Sequence, residues 1–316
     1  MSIHPELLPF RDQFPTLELT SENLVQTRHE LNRMTLETAA AIEGFDHVDV
    51  EDRQIDGPSS GQSLRLRLYS SGDPPGLRPC ILWIHGGGYI LGCPEMDEQL
   101  LCRKADELGC LVVAVDYRLA PEHPYPAALD DCDAALGWIL DNASALGVDA
   151  NTLVLGGASA GGGLAAALAL RARDQRPGAI AFQCLIYPML DHRTGTSAPA
   201  GAGEYWLWGV EHNCFAWEAY LGPNDLTYGV SPFASPATAK RLKGLPPTYL
   251  CIGDQDLFYE EEDIDYARRL RDSGVAVELE VVPGAPHGFD KLPAPLSEQS
   301  LQRRFKALSR HFSAQG

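Results

Sequence analysis

One serine, one histidine and two aspartates hold positions in this chain from which they could do chemistry together. Gly157-Ala158-Ser159-Ala160-Gly161 fits G-x-S-x-G. A serine at the apex of a sharp turn needs near side-chain-free neighbours, which glycine supplies. A serine nucleophile further needs a base, a carboxylate to orient that base, and donors for the oxyanion. Among nine histidines, His287 stands in the short loop Pro283-Gly284-Ala285-Pro286-His287-Gly288-Phe289, directly after an apolar run. His4, His29, His47 and His311 fall in peripheral segments, and His123 and His192 are weaker loop candidates. Asp254 and Asp256 both follow Ile252-Gly253, and pattern alone does not separate them. Either gives the chain order Ser, Asp, His. His85-Gly86-Gly87-Gly88-Tyr89 exposes backbone amides, so the N–H groups of Gly86 and Gly87 could join that of Ala160 around an oxyanion. His85 is expected to hold this loop rather than to titrate.

Competing uses of these glycines are weak. Gly156-x-Ala158-x-x-Gly161 resembles a dinucleotide-binding turn, but the next run, Cys184-Leu185-Ile186-Tyr187-Pro188, ends without the acid that would hold a ribose. The glycines at 86–88 lack the Lys-Ser/Thr ending of a phosphate loop.

These residues need elements to position them. Leu153-Val154-Leu155 is the right length for a buried strand, and Leu164-Ala165-Ala166-Ala167-Leu168 is rich in helix formers, so Ser159 sits at a strand–turn–helix junction. Further strands are expected at 47–55, 63–69, 80–84, 111–115, 180–187, 248–252 and 275–282. Residues 63–69 alternate strictly, as a half-buried antiparallel strand does. Helices are expected at 95–108, 127–146, 260–272 and 295–312. Continuous apolar strands alternating with helices imply a mostly parallel sheet covered on both faces. Two segments fall outside this rhythm. The first is 1–45, with a helix capped by Thr20 or Ser21 and bearing Leu24, Leu31, Met34 and Ile42. The second is an insertion rich in Gly, Ser and Pro at 194–202, followed by the aromatic stretch 205–220.

Composition sets the bounds. The chain has 316 residues, a formal net charge of −18 and a pI near 4.8. Such an acidic surface repels nucleic acid and anionic membranes. Its eight cysteines form no C-x-x-C pair, no signal peptide is evident, and no apolar run is long enough to span a membrane. A cytoplasmic protein with reduced thiols is the expectation.

The chain resembles the bacterial hormone-sensitive-lipase-like (family IV) esterases of the α/β-hydrolase fold. The motifs that carry this are His85-Gly86-Gly87-Gly88, the run Asp116-Tyr117-Arg118-Leu119-Ala120-Pro121-Glu122-His123-Pro124-Tyr125-Pro126-Ala127-Ala128, Gly157 to Gly162, Asp256-Leu257-Phe258 and His287-Gly288-Phe289. The resemblance implies one α/β-hydrolase domain over 1–316, with an eight-stranded sheet and a helical cap from about 1–45 and about 195–225. It implies a triad of Ser159, Asp256 and His287, preferring Asp256 to Asp254, and an oxyanion hole of Gly86, Gly87 and Ala160. It implies short- to medium-chain carboxylic esters as substrates, with Trp206, Trp208, Phe215 and Leu257 as candidate pocket walls. No cofactor or metal is expected, and a homodimer is compatible with it. The alternatives are an amidase or deacetylase on the same triad, or a non-catalytic binder of small molecules. The sequence departs from the family at Ala158, where many members carry Asp.

Overall fold

The structure is a computed structural model that describes residues 2–13, 18–72, 76–196, 205–222 and 229–314. Its centre is one sheet of eight strands: β1 (Val48–Asp56), β2 (Ser63–Ser71), β3 (Cys80–Ile84), β4 (Leu111–Val115), β5 (Val154–Ala158), β6 (Phe182–Ile186), β7 (Thr248–Gly253) and β8 (Val277–Val282). They lie in the order β1-β2-β4-β3-β5-β6-β7-β8. β1 pairs antiparallel with β2, and β2 with β4; every later pairing is parallel. The strands β3, β4 and β5 are buried along their whole length, as apolar runs with helices on both faces must be.

Seven α-helices accompany the sheet among the described residues: α1 (Leu24–Ala40), α2 (Glu98–Leu108), α3 (Ala127–Asp141), α4 (Ala160–Gln175), α5 (Val210–Leu221), α6 (Asp265–Asp272) and α7 (Pro295–Ser313). Trp83 of β3 carries the Lys104 ammonium of α2 over its ring, and Gly161 of α4 lies against the Ile84 carbonyl. α2 packs with α7, and α3 with α4. The apolar residues of both faces join one continuous core.

Several boundaries differ from the sequence expectation. The first long helix runs regularly from Leu24, and the turn that leads into it is capped by Thr20, whose backbone oxygen accepts from Leu24 N. Thr20 and Asn23 exchange bonds, each side-chain oxygen accepting from the other's backbone N–H. Only Leu24 of this helix is buried; Met34 is 55% exposed. The helix expected at 127–146 ends at Asp141 and gives way to turns, since Asn142 bonds its side chain back to Trp138 O. The helix expected from 260 opens as a π-helix, Tyr259–Ile264, before α6. Residues 197–204 and 223–228 of the expected insertion lie outside the described residues. Among the described residues, no helix is long and apolar enough to cross a membrane.

Candidate active site

Ser159 closes β5 and opens α4 with φ 56° and ψ −124°, a strained conformation for a residue with a side chain. The turn requires its glycines. A Cβ on Gly161 would lie 2.1 Å from Ile84 O, and one on Gly157 would lie 2.4 Å from Gly161 O. Backbone atoms cannot yield to such contacts, so α4 could not approach the sheet with larger residues there.

His287 arrives on the loop after β8. Its Nε2 is 2.9 Å from Ser159 Oγ, and its Nδ1 is 2.7 Å from Asp256 Oδ2. The other Asp256 oxygen accepts the Phe258 N–H at 3.0 Å. All three residues are buried. The Tyr187 ring packs on the imidazole with centroids 4.6 Å apart, and Phe258 meets it edge-on at 5.2 Å. Asp254, which the local pattern left level with Asp256, does not reach His287. Its Oδ1 accepts from Gly284 N at 2.7 Å and so ties down the start of the histidine loop.

Gly86 lies against the nucleophile: a Cβ there would come 3.0 Å from Ala158 O and 3.3 Å from Ser159 Cβ. The amides of Gly86, Gly87 and Ala160 have no acceptor among the described residues. Donors left open beside a nucleophile are what a developing oxyanion needs. His85 holds this loop from beneath. Its Nδ1 is 2.7 Å from Gly86 O, its ring stacks on Tyr117 at 4.2 Å, and the Tyr117 hydroxyl donates to His85 O. Burial pushes the imidazole below its ordinary pKa, so Nδ1 carries a proton and donates without adding charge.

The aromatic segment after residue 204 divides into two parts. Trp208 covers the glycine loop so closely that a Cβ on Gly88 would fall 2.2 Å from its ring. Leu207 reaches Gly288, next to His287. Trp217 packs at a tilt on Tyr89 and edge-on against Tyr220 and anchors α5 to the body. Trp206 is buried, while Phe215 and Leu257 are half-buried against the core.

The π-helix after Asp256 adds a feature that no sequence signal marked. Glu262 accepts from Leu190 N, Asp191 N and Thr194 Oγ1, whereas neither oxygen of the buried Asp263 has a partner. Burial pushes both acids up, Asp191 adding to it at Glu262, and Glu262 and Asp256 adding to it at Asp263. Thr194 O in turn accepts from Asn213, whose amide oxygen takes the Trp208 indole N–H. The helix after Asp256 is thus linked by hydrogen bonds to the tryptophan over the glycine loop.

A cavity of about 850 Å³ opens between α1, the start of α2 and the chain that follows His287. Its inner end is Ala158 and Tyr187. None of Trp206, Trp208, Phe215 and Leu257 lines it. Its walls include Leu31, Met34, Met96 and Leu292, which sequence patterning read only as helix or loop residues. Among the described residues, no cluster of three or more His, Cys, Asp or Glu could hold a metal ion.

The chain is similar to known proteins. A family described as alpha/beta hydrolase fold matches residues 81–291. The Mycobacterium tuberculosis protein named esterase LipI is 31% identical over 91% of this chain and 88% of its own length. The ethyl acetate hydrolase of Pseudomonas putida is 32% identical, over 79% of this chain and 80% of its own. A solved structure titled bacterial heroin esterase superposes with a TM-score of 0.91 at 35% identity, covering 98% of both chains. The chain belongs to the α/β-hydrolase fold family, in its hormone-sensitive-lipase-like group.

Proposed function

We propose that the protein is a serine carboxylesterase that cleaves small-molecule esters through an acyl-enzyme. The observation that carries this reading is the chain of contacts from Asp256 through His287 to Ser159, beside three amides with no acceptor. Ser159 Oγ attacks the ester carbonyl carbon as its proton passes to His287 Nε2. Asp256 keeps the imidazole in the required tautomer and balances its positive form. The Gly86, Gly87 and Ala160 amides, helped by the N-terminus of α4, receive the charge that builds on the carbonyl oxygen. When the tetrahedral adduct collapses, the alcohol leaves with the proton from Nε2. Water, with His287 as base, then attacks the acyl carbon. The acid departs and Ser159 regains its proton.

The relatives' names support an ester rather than an amide as substrate, and one is named for a short ester. In this reading α1 and the segment around α5 form a cap. Trp208 over the glycine loop, and with it Trp206, Phe215 and Leu257, wall an acyl site separate from the cavity beside α1 and hold the preference to short- and medium-chain acyl groups. The acidic charge and eight free thiols support a cytoplasmic setting.

The test compares purified protein on an aryl acetate and on the matching acetanilide, and follows labelling by an aryl phosphonate. The expected result is phenol release, with one phosphonyl group on the Ser159 peptide by mass spectrometry. Faster cleavage of the anilide would assign an amidase. No turnover and no label would leave only a binder.

A further inference from the structure

The cavity beside the elbow has a floor that position 158 defines. Gly156 faces the Trp83 ring, and two residues on, Ala158 faces the same side of the sheet. There its small side chain, Trp83 and Tyr187 end the cavity. A longer side chain at 158 would enter that space.

Chemistry decides which part of an ester could lie there. The leaving oxygen must come within hydrogen-bond reach of His287 Nε2, so the group it carries begins beside the imidazole. The cavity is walled by the chain that continues from His287, including Asp290 and Leu292, and by Tyr187, which packs on the imidazole ring. Trp208 instead sits over the glycine loop. The acids in the cavity wall are already matched: Asp97 by Lys291, Glu95 by Arg65, Glu98 by Arg67, Asp290 by Arg304 and Glu298 by Arg103. With those charges satisfied, the remaining surface is mainly apolar, with Leu31, Met34, Met96 and Leu292 beside the hydroxyls of Thr35 and Thr38. At about 850 Å³ the space is large for a drug-sized ligand and far exceeds what an ethyl group fills.

We propose that this cavity receives the leaving-group arm of the ester, a bulky and mainly apolar alcohol, and that Ala158 sets how deeply that arm reaches. The proposal rests on ester hydrolysis by Ser159. Its test is a ratio within each enzyme: kcat/KM for 1-naphthyl acetate over that for ethyl acetate, beside the ratio for ethyl hexanoate over ethyl acetate. Ala158→Leu fills the floor and Met34→Trp fills the mouth from α1. Overpacking should lower the naphthyl ratio by about tenfold in each variant, and leave the hexanoate ratio within about twofold. Met34 is far enough from the elbow to decide the matter if Ala158→Leu does not fold. An unchanged naphthyl ratio in the folded variants would overturn the proposal. So would a fall in the hexanoate ratio instead, which would give the cavity to the acyl arm. Failure of the unaltered protein on every ester would be a different result, overturning the esterase reading itself.

Discussion

α1 and α5 both lie outside the sheet, and they are held in different ways. α5 buries Asn213, Ala216, Trp217, Tyr220 and Leu221, and its aromatic rings interlock with Tyr89. α1 buries Leu24 alone. Its main tether is Arg28, whose guanidinium bonds Ile90 O, Ala120 O and Glu122. Below Arg28 the helix bridges the 850 Å³ cavity and fills none of it. One helix therefore closes space by burying its face, and the other, held by Arg28, Leu31 and its contact with residues 94–97, lines space. Neither helix supplies Ser159, His287 or Asp256, so reaction machinery and enclosure are separable.

The largest expected effect tests that separation. Ser159→Ala should leave both helices in place and lower kcat by about 10⁶-fold. Steady-state assay together with circular dichroism checks it, and residual turnover near the unaltered rate would mean that the reaction occurs elsewhere. Next, Asp256→Asn should cost about 10⁴-fold through the histidine tautomer. Asp254→Asn should cost far less, because Asp254 bonds Gly284 N and the Gln255 amide and does not reach His287. The reverse ranking would contradict the geometry around His287.

The helices themselves are compared by stability. Trp217→Ala should lower it by about 3–5 kcal/mol, as loss of a large buried side chain does. Met34→Ala, at an exposed position of α1, should stay within about 0.5 kcal/mol. Urea melts of the two variants measure this, and equal losses would show α1 to be packed as firmly as α5.

A pH-dependent effect concerns the sheet on which both regions rest. The Lys104 ammonium has no hydrogen-bond partner and lies 3.0 Å from the Trp83 ring centroid. Burial pushes its pKa down to about 7. An unfolded lysine titrates near 10.4. Between those values the unfolded chain binds more protons, so stability should rise with pH from about 7 and be least below it. Lys104→Met should flatten this slope and raise the urea midpoint at pH 6 more than at pH 9. A slope that persists in the variant would assign it to other groups.

The elbow, the glycine loop and the strands β3 to β8 were legible in the sequence because each depends on residues within about ten positions of itself. Gly157 and Gly161 are glycines for contacts made inside one turn, and β5 is apolar because both of its faces are covered. Asp256 was separable from Asp254 only by family resemblance, since the choice turns on where the loop after β8 arrives. The placement of β4 between β2 and β3 also involves partners distant in sequence. The π-helix at 259–264 gave no sign, because its apolar spacing differs little from that of an ordinary helix.

The amino-acid sequence by itself determined the turn that presents Ser159, since local backbone sterics leave few alternatives there. Tertiary structure alone decided the space around it. A cavity is the gap left between surfaces from 31–42, 96–103 and 290–301, and its volume depends on how those distant segments settle against one another. Ala158 reads in sequence as one small residue in a turn. Only the positions of α1, α2 and the chain after His287 make it the floor of a chamber.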